Sequence, residues 1–335
     1  MRGLLIGLTV VALWSARAAQ AACGAVSCFV VINSQQQVPQ KGTMTMNLFY
    51  NYVPQRSLLE GTTGVIPAVH QDHREIHLND HKELTTITQT TTLDLNYGLT
   101  DRLGLQVTVP YIKRRHEHLD EGGAGPNRQF SDGSLGDIRV TAKYNVAPSL
   151  RQSVVLGFGL DLPSGETEAR EGGTGLRMEP SIQTGRGQVG LVGSLYQTYA
   201  ITPQLSEFVF GSYRHTFRNN DGYQFGDEYL LNIGLHYMPI SRVTFLAQVN
   251  YRYLTHDNFS GAVEDVDPII RSRPVPNTGS TYLAVTPGVQ VSVSELTSLY
   301  FYSQVPVARD FNNNLAQGTS FVFGLTRFFP NLFGG

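Results

Sequence analysis

Leu103-Gly-Leu-Gln-Val-Thr-Val-Pro-Tyr111 decides the fold. Leu103, Leu105, Val107, Val109 and Tyr111 fall on one parity, and Gly104, Gln106 and Thr108 on the other. Side chains alternate across a β-strand, so such a segment has one oily face and one wet face. Segments of this kind recur along the whole chain, near ten residues each, which is the length a tilted strand needs to cross a bilayer.

Working outward, the alternation predicts strands at about 43–53, 85–99, 103–111, 135–147, 153–162, 188–200, 205–217, 227–239, 243–255, 280–293, 298–308 and 318–329. Met44, Met46, Leu48, Tyr50 and Tyr52 face lipid in the first, opposite Thr43, Thr45, Asn47 and Asn51. In the second, Leu93, Leu95 and Tyr97 point outward and Asp94 and Asn96 inward. Ile138, Val140, Ala142 and Tyr144 oppose Asp137, Arg139, Thr141, Lys143 and Asn145 in the fourth. Val154, Leu156, Phe158, Leu160 and Leu162 form another outer row, and Tyr229, Leu231, Ile233, Leu235 and Tyr237 a further one, with tyrosines at both ends as interfacial girdles require. Phe321, Phe323, Leu325 and Phe329 make the last outer face, on which Arg327 snorkels.

Short connections alternate with long ones, giving six hairpins with tight turns such as Thr100-Asp101-Arg102 at one end only. The expectation is an all-β chain: a closed antiparallel transmembrane β-barrel of about 12 strands, monomeric or loosely oligomeric, with short periplasmic turns and long outer loops. A large soluble β-domain is the competing reading. It is disfavoured by the polar inner faces, because unpaired charges in a dry core cost several kcal/mol each. Closure also removes the two exposed edges of an open sheet.

The start of the chain fits this compartment. Met1-Arg2-Gly3, an apolar stretch from Leu4 to Trp14 and the small residues of Ser15 to Ala21 form a secretory signal, with cleavage expected after Ala21. A lipoprotein reading would place Cys23 at the mature terminus, but Gln20 stands where a lipid-attachment site takes an aliphatic residue. The expected divisions are a signal peptide over 1–21, a periplasmic N-terminal segment over 22–41, the barrel over 42–330 and a C-terminal tail over 331–335. Cys23 and Cys28 are the only cysteines, and an oxidising periplasm makes them a local disulfide. Their spacing lacks the two-residue gap usual for redox or metal pairs.

Arg2 and Arg17 leave with the leader, so 23 basic residues stand against 27 acidic ones. Nothing there suggests a nucleic-acid partner. After the leader no run approaches the ~18 apolar residues of a spanning helix. With 34 Gly, 16 Tyr, 17 Phe and only 16% charged residues, the composition suits strands with aromatic ends and tight turns better than a charged helical protein.

Several stretches resemble the outer-membrane proteins of the "meta-pathway of phenol degradation" transporter family. They are Tyr97-Gly-Leu-Thr-Asp-Arg-Leu103 leading to Val107-Thr-Val-Pro-Tyr111, Gly133-Ser-Leu-Gly-Asp-Ile138, Gly159-Leu-Asp-Leu-Pro-Ser-Gly165, Gln183-Thr-Gly-Arg-Gly187, Gln304-Val-Pro306 with Arg309-Asp310, and Phe323-Gly-Leu-Thr-Arg-Phe-Phe329. The resemblance implies a barrel that passes small hydrophobic or aromatic molecules through the outer membrane of a Gram-negative bacterium. It supplies no substrate residues. The chain departs from the family's usual ending by carrying Pro330 to Gly335 beyond the last strand, so Phe329 and Phe333 compete as the terminal signal for the barrel assembly machinery.

Candidate pore-lining residues are Asp94, Asp137, Arg139, Lys143, Glu228, His236 and Arg252, whose opposed charges would orient a polar solute or pair and fill a narrow barrel. Eight of the nine histidines fall at the outer end. His70, His73, His77 and His81 sit with Asp72, Glu75 and Asp80 in the first long loop, and His116 and His118 end a strand nearby. Imidazoles favour Zn²⁺, Cu²⁺ or Ni²⁺, so metal capture or metal gating is the alternative function. A merely hydrated loop and a gate that responds to protonation are the other readings. Otherwise no cofactor is expected. Barrel phospholipases carry a compact His-x-Ser-Asn-Gly signature, and the nearest string here, His256-Asp-Asn-Phe-Ser-Gly261, lacks it, so no enzyme is expected. The expected partners are outer-membrane lipid and a small-molecule solute, with the chain acting as a passive channel; a structural or receptor barrel is the remaining alternative.

Overall fold

A computed structural model describes residues 29–64, 81–120, 128–170, 177–260, 274–275 and 277–330. Twelve strands form one closed antiparallel barrel. They are β1 (Met44–Gly61), β2 (His81–Gly98), β3 (Leu103–Asp120), β4 (in two parts, Arg128–Leu135 and Ile138–Asn145), β5 (Gln152–Leu162), β6 (Gly190–Ala200), β7 (Leu205–Thr216), β8 (Glu228–Ile240), β9 (Val243–Leu254), β10 (Ser280–Ser292), β11 (Thr297–Gln317) and β12 (Ser320–Phe329). Each pairs with the next, and β12 closes on β1 from Met44 opposite Phe329 to Tyr52 opposite Phe321.

Register follows the hydrophobic alternation. Leu48 stands opposite both Leu93 and Leu325 on the outer face, while Asn47 stands opposite Asp94 and Thr326 on the inner one. A one-residue slip would turn every polar side chain into lipid. Leu231, Ile233, Leu235 and Tyr237 are all exposed to about half their extent, whereas Asn232, Asn250, Asp94 and Asn47 are wholly buried, so the barrel is oily outside and polar within. Tyr213, Tyr229 and Tyr253 form a row of neighbouring rings at one rim, with centroids 5.0 and 6.0 Å apart, and exposed Tyr144, Tyr237 and Phe245 mark the other. Arg327 donates to Thr297 Oγ1 (2.8 Å) beside the Phe329 ring, as a cation at the interface should.

The connections 99–102, 146–151, 201–204, 241–242 and 293–296 are short and lie at one end, and the longer ones lie at the other, where only the 318–319 link between β11 and β12 is short. At that other end β1, β2 and β3 run several residues past the predicted boundaries. Hydrophobic alternation marks only the lipid band, while the hydrogen-bond ladder continues above it through residues such as Ser57 and Arg115. β4 is also not one strand. It breaks at Gly136-Asp137, its upper part pairing only with β3 and its lower part with both β3 and β5. Phe311–Gln317, at the end of β11, turns back and pairs with Gln55–Gly61, prolonging the line of β12 along β1.

Residues 22–41 were expected as a periplasmic segment below the barrel, but the described residues 29–40 lie inside it. Val31 N–H donates to Gln248 of β9, Ser34 to Asn47 of β1 and Lys143 of β4 to the Gln35 carbonyl. Asn96 of β2 and Ser153 of β5 donate to Gln37, and Tyr196 of β6 donates to Asn33. Contacts to inner-face residues on strands all around the circle place this segment in the lumen. Its apolar run gives the reason: Val31 and Ile32 are buried with Tyr196, Phe208, Leu246, Tyr300, Tyr302 and Val322. Burying such side chains is worth about 1.5–3 kcal/mol each. A single helical turn, α1 (Asn33–Gln36), completes the segment.

Candidate functional site

The lumen is divided by two inward-reaching pieces of chain. Residues 29–40 fill it toward the short-turn end, and the connection between β5 and β6 folds in from the other. Met178 and Ile182 of that connection are buried against Leu58, Phe130 and Leu315. Asp137, at the break in β4, anchors it: one carboxylate oxygen accepts from Gly165 N–H (3.1 Å) and the other from Arg186 N–H (2.9 Å). Gly165 and Gly185 cross so closely that a Cβ on Gly165 would stand 2.5 Å from Gly185 Cα, so neither position has room for a side chain.

Between the two pieces lies a cavity of about 330 Å³. Asp161 of β5 stands on its wall between two arginines. Arg139 donates to it from Nε (2.6 Å) and Nη2 (3.1 Å), and Arg214 of β7 from Nε (2.7 Å). Arg114 Nη1 donates to the carbonyls of Ile182 (2.6 Å) and Gln183, tying the inward connection to β3. Arg186 lies over the Phe225 ring, 4.8 Å from its centroid, and donates to Thr216 (2.8 Å). Asp257, in the connection after β9, accepts from Tyr223 O–H (2.5 Å) and Gly226 N–H (2.6 Å). Burial holds its carboxyl above the usual range, against the lowering effect of those two donors.

Two of the seven predicted pore-lining residues, Asp137 and Arg139, line this cavity. The other five also face the lumen but stand elsewhere. Asp94 is buried, accepting from Gln106, Thr108 and Asn47, and Lys143 is held by α1. His236 stacks on Phe208 at 4.8 Å toward the short-turn end. Arg252 lies 5.2 Å from the Phe29 ring and 5.6 Å from that of Tyr282. Glu228 stands opposite Arg214 in register. An inner face shared with an inserted segment is thus partly packed wall rather than open pore, and parity alone does not separate the two.

The parity that places Asp137 inward also places Asp161 inward, since Leu160 and Leu162 flank it outside. Arg214 was legible in the same way. Arg186 and Arg114 act through an inward connection and a raised strand end, for which hydrophobic alternation gives no signal.

His116 and His118 do point inward together, with ring centroids 5.0 Å apart. His116 Nε2 lies 3.2 Å from Glu83 and Nδ1 2.9 Å from Thr86 Oγ1. His81 begins β2 opposite Asp120. His70, His73 and His77 lie outside the described residues, as do Cys23, Cys28 and residues 331–335. Among the described residues no group of three or more His, Cys, Asp or Glu side chains is gathered to hold a metal ion.

The family described as "Putative MetA-pathway of phenol degradation" matches residues 73–324. The chain belongs to this family. The motifs that carry the resemblance meet at the cavity: Pro110, Asp137, Asp161, Gly165, Gly185 and Arg186 come from four separate stretches and lie on its wall or in the clamp beside it. Among solved structures, an outer-membrane channel from Pseudomonas putida F1 is similar to this chain, at 12% identity over 90% of this chain and 100% of that one, with a TM-score of 0.63. The β domain of a Bordetella autotransporter (12% identity, 86% and 100% covered, TM-score 0.45) and the NanC porin (10%, 84% and 98%, 0.42) are more distant. A comparison with curated proteins gave no match. The fold is that of an outer-membrane barrel.

Proposed function

We propose that this barrel is a passive outer-membrane channel for small solutes whose path is the lumen. Solute enters the central cavity from the long-loop end and leaves when residues 29–40 yield at the other. One observation carries this reading: the segment that occupies the lumen beyond the cavity, against whose apolar cluster the cavity residue Phe49 packs, is held by hydrogen bonds and that one cluster, not by a strand ladder. Such a segment moves without breaking the barrel.

An aromatic or otherwise partly apolar solute is the finer reading. Family membership favours it, and so do Phe49, Pro110, Ile112 and Phe225 on the cavity wall. The segment 70–81 lies largely outside the described residues, so metal capture gains no observation in its favour.

The test is solute entry into vesicles bearing the refolded chain. Phenylalanine, an aromatic solute that crosses lipid slowly, should enter faster than into protein-free vesicles, and a trisaccharide, too large for the cavity, should not. Equal entry of phenylalanine with and without protein would contradict the proposal.

A further inference from the structure

The cavity's charges do not cancel. Arg114, Arg139, Arg186 and Arg214 line it against Asp137, Asp161 and Asp257, leaving one positive charge in excess. Nor are the two signs equally occupied. Asp137 spends both oxygens on backbone N–H groups, Asp161 both on arginines, and Asp257 both on Tyr223 and Gly226. Arg214 uses Nε alone, and Arg139 uses Nε and Nη2. Among the described residues no group accepts from Nη1 of Arg139 or from either terminal amino group of Arg214. Both side chains keep surface open, 33% for Arg139 and 19% for Arg214, while Asp161 between them keeps 3%. Among the residues that line the cavity, an incoming solute therefore meets spare donors and no spare carboxylate, while the nearby Glu228 acts on Arg139 and Arg186 from outside the lining.

Beside this basic spot and the threonines Thr88, Thr90, Thr92 and Thr108, part of the wall is apolar. Phe49 and Ile112 face the cavity, as do Phe225 and the rings of Pro110 and Pro180. A volume of about 330 Å³ with an apolar patch and a few convergent donors has the size and chemistry of a small-molecule site.

We propose that the cavity selects small organic monoanions. A carboxylate seats on the terminal amino groups of Arg139 and Arg214, and an apolar or aromatic body lies along Phe49, Ile112 and Phe225. Planar guanidinium groups match a carboxylate with two parallel hydrogen bonds, and a low-dielectric wall strengthens them. Asp161 has two effects here. It orients both arginines, and it competes with the solute for their charge.

This inference rests on reading the lumen as a solute path, and binding tests it separately from transport. The full chain, refolded in detergent, is titrated calorimetrically with benzoate, benzyl alcohol and benzylamine, which share a ring and differ in charge. Benzoate should bind at least about tenfold more tightly than benzyl alcohol, as one charge-assisted hydrogen bond supplies, and benzylamine more weakly still. Arg214→Met should weaken benzoate about tenfold by the same reasoning. Asp161→Asn should tighten it, and a gain in affinity cannot come from misfolding. Equal affinity for the three ligands, or benzoate binding that Asp161→Asn leaves unchanged or weakens, would overturn the assignment. Tight benzoate binding without vesicle uptake would instead count against the channel and leave the anion site standing.

Discussion

Asp257 shows how a single buried side chain ties the outer end to pH. Its carboxyl is held above the ordinary carboxylate range by burial, and its donors come from Tyr223 and Gly226 in the neighbouring connection. A raised carboxyl binds its proton more readily folded than unfolded, so its contribution to stability is fully present below the unfolded value and is lost as pH rises through the folded one. The chain should therefore lose thermal stability across that window by more than an Asp257→Asn variant does, read as the difference between their melting temperatures at each pH. Parallel curves would contradict the assignment. At this scale the sequence was partly readable. Inward parity marked Asp94, Asp137, Arg139 and Lys143, and it marked Asp161 equally well. It could not tell that Lys143 serves α1 while Arg139 serves the cavity, because that depends on what enters the lumen.

Two elements that are not strands shape the interior, and they differ in how far the sequence announced them. The connection between β5 and β6 carries Gly165 and Gly185, which cross at backbone contact, and Asp137 fixes both sides of the crossing through Gly165 and Arg186. Asp137→Ala strips those two N–H groups of a charged acceptor, a loss of about 1.5–3 kcal/mol per bond. Trypsin should then cut at Arg177, which now pairs with Glu168 and Asp221, several-fold faster in the folded variant. Unchanged cleavage would show that the clamp does not hold the connection in place. The glycines and the aspartate were visible as motifs, yet their meeting depended on the break at Gly136 in β4, where an unbroken strand was expected. The segment 29–40 was the larger surprise. Phe29-Val-Val-Ile32 is an apolar run with no period of its own, and only the inner-face tyrosines and Phe208, themselves scattered over several strands, supply its partner.

For the molecule as a whole, the strand count, the alternation of long and short connections and the oily exterior were all legible, because a lipid solvent imposes a period of two on every strand. What the period cannot convey is occupancy of the lumen, since a polar inner face suits water and an inserted segment alike. Function turns on that distinction. The central claim is that the path runs through the barrel and that residues 29–40 close it. Planar-bilayer conductance of the refolded full chain, compared with a Val31→Asp, Ile32→Asp variant whose strand ladder is untouched, tests it most directly. Two charges in the cluster of Tyr196, Phe208 and Leu246 should expel the segment and raise the unit conductance several-fold, with the wild-type chain showing small or brief openings. The same conductance in both chains would contradict the account.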